Sequence, residues 1–418
     1  MNPLDKRVNY IEKIVPNSLT ILFSGTDIVR SGDQYFPFEA DKNFYYMTAI
    51  NQSNIAFVLI KKEKEIIEKL FIEKNDEIMV KWEGAKLTKA EASKISWINE
   101  VHFLEEFETF IEDYLGINDV KTIYLDFKEK KKPGYTTMAY DFQREFVLKH
   151  KDSDIEIKDC TPIFQHIRMV KASDEIEHIK ESVEHTRNGI EFMMANCRKD
   201  MYEYQLASFF AFALKYNGDK KVAFPTVVAG GKNATVLHYS KRNEILNKKD
   251  LVLVDVGCQT NYYCSDITRT FPISGKFSKR QRDVYEEVLL VNNMCIASAI
   301  KGTTLTELNN YATDLLIKAC YRLKLITKDE DIKKYYWHSV SHFLGLDTHD
   351  VGFRDMPLQP GHVITIEPGL YIEEENIGIR IEDDILITDG APINLSVDIM
   401  KEPIDIQNYM KRNKNRLI

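Results

Sequence analysis

Residues 251–271 read LVLVDVGCQTNYYCSDITRTF, a mostly apolar segment that contains two aspartates. The run 251–258 is apolar apart from Asp255 and predicts a strand that is buried in a sheet. A buried carboxylate without a partner is strongly disfavoured. Asp266 follows beyond the turn-like residues 259–261, so we predict a hairpin that brings the two aspartates together. Two interpretations stay open: half of a metal site, or a salt-bridged core aspartate beside a surface aspartate.

A second pair of acidic residues repeats this arrangement within residues 363–385. VITIEPG places Glu367 at the end of an apolar strand, and IRIEDDI places Glu382 inside another. The polar residues 373–376 between them predict a second hairpin with one acid on each arm. Two independent hairpins that each present paired carboxylates favour a metal site over coincidence.

Histidines are concentrated in the same half of the chain. Of the ten histidines, four fall in one 25-residue window: His338, His342, His349 and His362. On a helix, His338 and His342 would share a face as in zinc-dependent HExxH peptidases, but that motif needs glutamate at position 339, which is Ser339. We therefore reject that interpretation. His238 follows a Gly-Gly loop; a lone histidine is usually structural, but the histidine cluster and four buried acids favour a functional role.

The residue types indicate the chemistry of the predicted site. Four carboxylates carry a charge of −4, which two divalent cations would balance. Oxygen-rich ligation with a single imidazole favours Mn²⁺, with Co²⁺ and Zn²⁺ as alternatives. Two adjacent cations can share a water molecule, lower its pKa and polarise a carbonyl group. This is hydrolytic chemistry.

The composition of the whole chain predicts a soluble globular protein and leaves both enzymes and scaffolds open. The 418 residues include 64 acidic and 56 basic side chains, and the net charge of −8 argues against nucleic acid or an anionic membrane as the main partner. A local basic patch could still be hidden beneath that total. No apolar run is long enough to span a membrane and no secretory peptide is apparent. The six cysteines form no CxxC pair, which predicts free thiols and a cytoplasmic location.

The chain divides into two halves of different character. Apolar runs at 19–24, 55–61 and 121–126 predict strands, and 86–100 and 107–115 predict helices, so the first half is an α/β module. A boundary is expected near 160–173, where Ser173 would cap a long amphipathic helix. Further helices are predicted at 203–216, 278–300 and 304–324.

Taken together, the motifs resemble the pita-bread metallopeptidases, in the branch of Xaa-Pro aminopeptidase (aminopeptidase P) and prolidase. The resemblance is carried by residues 252–278, 338–352, 363–372 and 378–388. It covers essentially the whole chain, because YFPFEADKNFYYMT (35–48) resembles the N-terminal domain of the same branch. It implies an α/β N-terminal domain over residues 1–168 and an α+β catalytic domain of the pita-bread fold over residues 169–418.

The same resemblance assigns metal ligands and catalytic roles. The implied ligands of the two metal ions are Asp255, Asp266, His342, Glu367 and Glu382. Asp266 and Glu382 would bridge both ions; Asp255 would complete one site, and His342 with Glu367 the other. Glu367 is also the expected proton shuttle, and His349 and His238 would orient the peptide or stabilise the tetrahedral intermediate. Substrate binding is implied for His338, Arg380 and Tyr371.

The implied reaction is hydrolysis of an N-terminal Xaa-Pro bond by a hydroxide that bridges the two metals. The substrates would be peptides with proline in second position, and family members suggest a homodimer or a dimer of dimers. A prolidase, which accepts only dipeptides, is the first alternative. A methionine aminopeptidase normally lacks the N-terminal module, and creatinase-like hydrolases lack the ligands. A non-catalytic pita-bread protein that binds histones or RNA is the main alternative that is not an enzyme.

Overall fold

The computed structural model describes residues 3–127, 138–218 and 220–414. The chain divides into two compact units, Met1–Ile167 and Arg168–Ile418. The elements that begin in the first unit are α1 (Pro3–Ile11), β1 (Ser18–Phe23), β2 (Val29–Ser31), β3 (Gln34–Tyr35), α2 (Lys42–Thr48), β4 (Ala56–Lys61), β5 (Ile66–Ile72), α3 (Glu77–Glu83), α4 (Lys89–Ser96), β6 (Glu100–Phe103), α5 (Phe107–Ile117), β7 (Thr122–Leu125), α6 (Met138–His150), β8 (Glu156–Asp159) and α7 (Thr161–Met169).

The first unit is built on a mixed six-stranded sheet in the order β6-β5-β4-β1-β7-β8. β1 pairs antiparallel with β4 and parallel with β7, and all of its residues are buried because α5 and α6 contribute to the same apolar core. The strands predicted at 19–24, 55–61 and 121–126 are confirmed as β1, β4 and β7, and the helix predicted at 107–115 as α5.

The helix predicted at 86–100 is shorter than expected. Thr88 caps α4 at its start by accepting from the amide of Glu91, and Trp97 ends it in the left-handed conformation with φ of 61°. Residues from Glu100 onward then form β6, which pairs with β5. The predicted range 86–100 therefore contains the short helix α4 and also the first residue of strand β6.

The second unit combines five α-helices that begin within its described residues with several small antiparallel sheets. Its elements are α8 (Ser173–Asn196), α9 (Glu203–Tyr216), β9 (Lys221–Val222), β10 (Val227–Gly230), β11 (Leu251–Val256), β12 (Cys258–Thr260), β13 (Tyr263–Cys264), β14 (Ile267–Pro272), α10 (Lys279–Ser298), α11 (Leu305–Arg322), β15 (Val363–Ile366), β16 (Gly369–Ile372), β17 (Ile377–Arg380), β18 (Asp383–Leu386), β19 (Ile393–Asn394) and α12 (Pro403–Arg412). Across the described parts of the chain, no helix has both the length and the apolar character needed to cross a membrane.

The predicted helices of this unit are confirmed as α8 to α11, with one correction at the start of α8. Ser173 is not the cap: the helix begins at Ser173, and Ala172 occupies the cap position. The carboxylate of Glu175 accepts from the amide of Ala172 at 2.8 Å, which satisfies that amide without a capping side chain.

Both predicted hairpins form. β11 lies between β10 and β14, and β12 and β13 make a tight turn beyond them. The turn is one residue later than residues 259–261 suggested, at Asn261 and Tyr262, whose φ values of 47° and 71° are typical of a type I′ turn. In the second hairpin β15 pairs with β18 and β16 pairs with β17, with residues 373–376 at the tip.

Candidate metal centre

The two hairpins bring four carboxylates together, and three of the four lie where a strand begins or ends. Asp255 lies on β11 opposite Thr268 of β14, and Asp266 immediately precedes β14. Glu367 follows β15 directly. Glu382 was expected inside a strand, but it occupies the break between β17 and β18. Its amide donates to the carbonyl of Thr268 at 3.1 Å, so this break joins the second hairpin to the first.

His342 reaches the same point from an extended segment. The amide of Thr365 donates to the carbonyl of His342 at 3.0 Å, and the amide of Glu367 donates to the carbonyl of Val340 at 2.8 Å. These bonds hold residues 340–342 beside β15. Between His338 and His342 the chain is not helical, in agreement with the rejection of the HExxH interpretation.

The hydrogen bonds of His342 fix which ring nitrogen faces the acids. Its Nδ1 lies 3.0 Å from the carbonyl oxygen of Phe343, which can only accept, so Nδ1 carries the proton. In the neutral imidazole Nε2 therefore presents a lone pair, at 3.3 Å from Asp266 Oδ2 and 3.6 Å from Glu367 Oε1. Three electron-rich atoms face one another, an arrangement that a cation between them would stabilise. Metal-binding histidines commonly donate their other N–H to a backbone carbonyl in this way.

The donor atoms form overlapping sets of the size that a metal ion needs. Asp255, Asp266 and Glu382 offer atoms within 4.8 Å of one another, and so do His342, Glu367 and Glu382. The two sets share Glu382, which suits two neighbouring ions. The Oδ1 atom of Asp255 is buried and has no hydrogen-bond partner among the described residues, which marks a free ligand position. The residues therefore fit a pair of divalent cations.

A third set of donors contains a residue that the sequence analysis placed outside the metal site. It combines Asp266, His342 and His349, again within 4.8 Å. The rings of His342 and His349 lie edge to face with centroids 4.4 Å apart.

Burial and mutual repulsion perturb the acids in the absence of a cation. Burial, and then the charge of Asp255, raises the pKa of Asp266 well above its usual value. Burial, followed by the charge of Asp266, does the same to the pKa of Glu382. Burial raises the pKa of Glu367 to about 7. The cluster has too little positive charge around it to stay fully ionised. Bound divalent cations would supply that charge, so the raised pKa values are those expected of a metal site without its metal.

Arg380 is the cation within this cluster. Its side chain donates hydrogen bonds to three neighbouring side chains. Its Nη2 donates to Asp255 Oδ2 at 2.6 Å, its Nε to the Thr268 hydroxyl at 3.0 Å and its Nη1 to the Tyr371 hydroxyl at 3.0 Å. The Thr268 hydroxyl in turn donates to Glu382 Oε2 at 2.6 Å. Arg380 is 3% exposed, so its guanidinium orients Asp255 and presents little surface to solvent.

His338 belongs to the same network. Its Nδ1 donates to the Ser339 carbonyl at 2.8 Å, and its Nε2 accepts from the Tyr371 hydroxyl at 2.8 Å. Burial, assisted by the charge of Arg380, lowers the pKa of His338 to about 3. The ring is therefore neutral near pH 7.

The cluster opens into a cavity of about 390 Å³. Nine of the ten residues singled out from the sequence line it: Asp255, Asp266, His342, Glu367, Glu382, His238, His338, His349 and Arg380. The tenth, Tyr371, is 1% exposed and lies behind His338 and Arg380. His238 and His349 are exposed at this cavity, where a substrate could reach them.

Three residues of the site were missed by the sequence analysis. Thr268 links Arg380 to Glu382, as described above. Asp384 Oδ2 accepts from the amide of Asp266 at 3.2 Å, and Arg354 lines the cavity as an exposed cation. Asp384 could have been recognised from the sequence, because it is an acid within the apolar run that also contains Glu382. Nothing in the sequence distinguishes Thr268 or Arg354.

Comparison with protein families gives two matches along the chain. Residues 177–389 match metallopeptidase family M24, and residues 4–124 match the aminopeptidase P N-terminal domain.

Individual relatives match over nearly their whole length. A Xaa-Pro aminopeptidase of Haemophilus influenzae is 31% identical, with 97% of this chain and 96% of the relative aligned. A solved structure from Bacillus anthracis, described as a candidate aminopeptidase P, superposes with a TM-score of 0.96 at 41% identity and covers 100% of this chain and 99% of its own. A substrate complex of an Escherichia coli aminopeptidase P variant has a TM-score of 0.89 at 28% identity, with 99% and 98% covered.

Proposed function

The chain belongs to metallopeptidase family M24, and from this premise we propose that it is a Xaa-Pro aminopeptidase that releases the first residue of peptides with proline in second position. The family also bears out the predicted fold, an α/β N-terminal domain followed by a pita-bread catalytic domain. The relatives that match over nearly their full length carry this activity in their names.

The observation that carries the proposal is the position of His342 Nε2, which lies 3.3 Å from Asp266 and 3.6 Å from Glu367 within a group of four buried or partly buried carboxylates. Two divalent cations bound there would polarise the scissile carbonyl and lower the pKa of a water molecule. We assign Asp255, Asp266 and Glu382 to one cation, and His342 and Glu367, with the shared Asp266 and Glu382, to the other. Mn²⁺ is the proposed metal because oxygen ligands predominate.

The remaining residues hold and guide the reacting groups. Glu367 lies beside His342 at the cavity wall and is proposed to move the proton from water to the leaving amine. His349 and His238, which are exposed in the cavity, would contact the peptide and support the developing negative charge. Arg380 and Tyr371 were expected to bind substrate, but their contacts favour a positioning role: they orient Asp255 and His338.

A peptide panel with metal-loaded protein tests the activity. We expect release of the first residue from a Xaa-Pro-Yaa-Zaa peptide, and far slower cleavage of the matched Xaa-Ala-Yaa-Zaa peptide. Cleavage of a Xaa-Pro dipeptide alone would identify a prolidase instead. No cleavage of either proline peptide with Mn²⁺, Co²⁺ or Zn²⁺ would favour a non-catalytic binding protein, which the complete ligand set argues against.

Three further assignments complete the proposal. The domains are proposed to be residues 1–168 and 169–418, supported by the division between Ile167 and Arg168. A cytoplasmic location is supported by six cysteines that are all free and buried. A homodimer or a dimer of dimers is proposed from the family resemblance, and light scattering coupled to size-exclusion chromatography would measure it.

A further inference from the structure

A second cavity in the Arg168–Ile418 unit is lined by cations. It has a volume of about 850 Å³ and lies among the C-terminal end of α8, the loop after β14 and helix α12. Its basic lining residues are Arg198, Lys199, Lys248, Lys276, Lys411 and Lys414. Of the described residues that line it, none is aspartate or glutamate.

Most of these cations lack an acidic partner. Lys199 pairs with Asp200 at 2.8 Å, whereas the other five make no ion pair among the described residues. Some surface arginines of the same unit do have acidic partners, as Arg280 has Glu375 and Arg322 has Glu287. Like charges that converge on one cavity repel one another, and a bound anion would relieve that repulsion.

The cavity also has an apolar wall. Met194, Ile273 and Met410 are buried and face it, and Ile404 on α12 is 53% exposed beside it. Its volume is within the usual range for small-molecule sites, roughly 300–1,000 Å³. The cations surround one cavity and do not follow an extended track, so the geometry suits a compact anion better than a nucleic acid strand.

We propose that this cavity binds a phosphate-bearing small molecule with an apolar body, of the nucleotide class. The basic side chains would contact the phosphates, and Ile404, the exposed part of the apolar wall, would contact the apolar part. The site is separate from the metal centre. Asp266 of the metal centre precedes β14, and Ile273 of this cavity follows β14. At the rise per residue of an extended strand, these two residues are about 20 Å apart. No residue lines both cavities.

Titration calorimetry on the metal-loaded protein tests the proposal with three probes: ATP, tripolyphosphate and adenosine. Excess Mg²⁺ keeps the phosphates from extracting the metal of the active centre. We expect ATP to bind best, tripolyphosphate more weakly and adenosine not measurably, with ATP affinity falling as NaCl is raised. Binding of adenosine as tight as that of ATP, or no binding of ATP at millimolar concentration, would overturn the proposal. Equal affinity for tripolyphosphate and ATP would overturn the role of the apolar wall.

Matched variants locate the binding. Lys248→Gln with Lys411→Gln is expected to raise the Kd for ATP by roughly tenfold or more, because each change removes a charged contact. Lys318→Gln with Lys333→Gln removes the same charge from exposed positions outside both cavities and is expected to leave the Kd unchanged. Asp266→Asn is also expected to leave it unchanged. Equal losses in the two double variants would refute the site, and loss in Asp266→Asn would place the anion at the metal centre.

Discussion

A buried ion cluster is expected to stabilise the second unit strongly. Asp350 Oδ1 accepts from Arg168 Nη2 at 2.6 Å, and its Oδ2 accepts from Lys171 Nζ at 3.1 Å. Asp347 accepts from the same Arg168 nitrogen at 2.9 Å. The side chains of Arg168, Lys171 and Asp350 are each 1% exposed. We predict that Asp350→Asn, which removes one charge with almost no change of shape, destabilises this unit.

The magnitude follows from the burial of the partners. In the variant Lys171 loses its carboxylate while it stays buried, and Arg168 retains Asp347, which is 32% exposed. Breaking a buried pair by removing one partner costs about 3–5 kcal/mol because a charge remains uncompensated. For a unit of this size the expected fall in Tm is roughly 6–20 °C.

Scanning calorimetry of the metal-loaded protein measures this, with Asp389→Asn as the matched control. Asp389 accepts from Lys301 at 2.7 Å, but the two side chains are 78% and 57% exposed. An exposed pair contributes about 0–1 kcal/mol. The reasoning is refuted if the Asp350 and Asp389 variants melt at the same temperature.

The pH dependence has a definite sign. Burial raises the pKa of Asp350, but the charges of Arg168 and Lys171 outweigh it and hold the pKa below its usual value. The stabilisation is therefore present above the unfolded pKa of about 3.9 and is lost as the pH falls through the lower folded pKa. The Tm difference between wild type and Asp350→Asn should be constant from about pH 5 to 8 and shrink in stronger acid. A difference that grows on acidification would contradict the assignment.

Three changes at the metal centre are expected to separate metal binding from positioning. Asp266→Asn should lose bound metal, measured by elemental analysis, together with hydrolysis; surviving peptidase activity would exclude the dinuclear site. Thr268→Val removes the hydroxyl between Arg380 and Glu382 and should lower kcat by roughly 10- to 100-fold, with Thr268→Ser restoring most of it. A Val variant with wild-type kcat would remove Thr268 from the network. Chelation should lower the Tm, because removal of the metal leaves four acids without their counter-charge, and Mn²⁺ should restore it. An unchanged Tm on chelation would argue against the site.

The fold was predictable where burial is continuous along the chain. β1 and β11 are largely apolar runs that are buried at every position, and their sequences show it. β5 was missed because Glu68 and Lys69 interrupt its run IIEKLFI. Glu68 pairs with Arg7, a side chain with no exposed surface, from a helix about 60 residues earlier. A strand whose charge is compensated by so distant a partner cannot be recognised from local pattern.

The site was predictable to the extent that its acids lie within or beside apolar segments that form hairpins. Asp255, Asp266, Glu367 and Glu382 were found from that pattern, and the structure brings all four to one cavity. Thr268 was not found, because its role depends on the alignment of β14 with β17. That alignment is made by contacts between the two hairpins, and the hydroxyl of a threonine in a strand carries no distinguishing signal of its own.

The net charge of the chain does not describe the charge at any one binding site. The value of −8 argued against anionic partners, but it is a sum over the whole surface, and a single ligand contacts only a small part of that surface. Part of the negative charge lies in four carboxylates that two divalent cations would neutralise, and five cations that have no ion pair within the described ranges converge on the other cavity. At physiological ionic strength the Debye length is about 8 Å, and β14 separates the two cavities by about 20 Å. Each cavity therefore attracts ligands by its own charge, and the acidic total would oppose anion binding mainly at low salt.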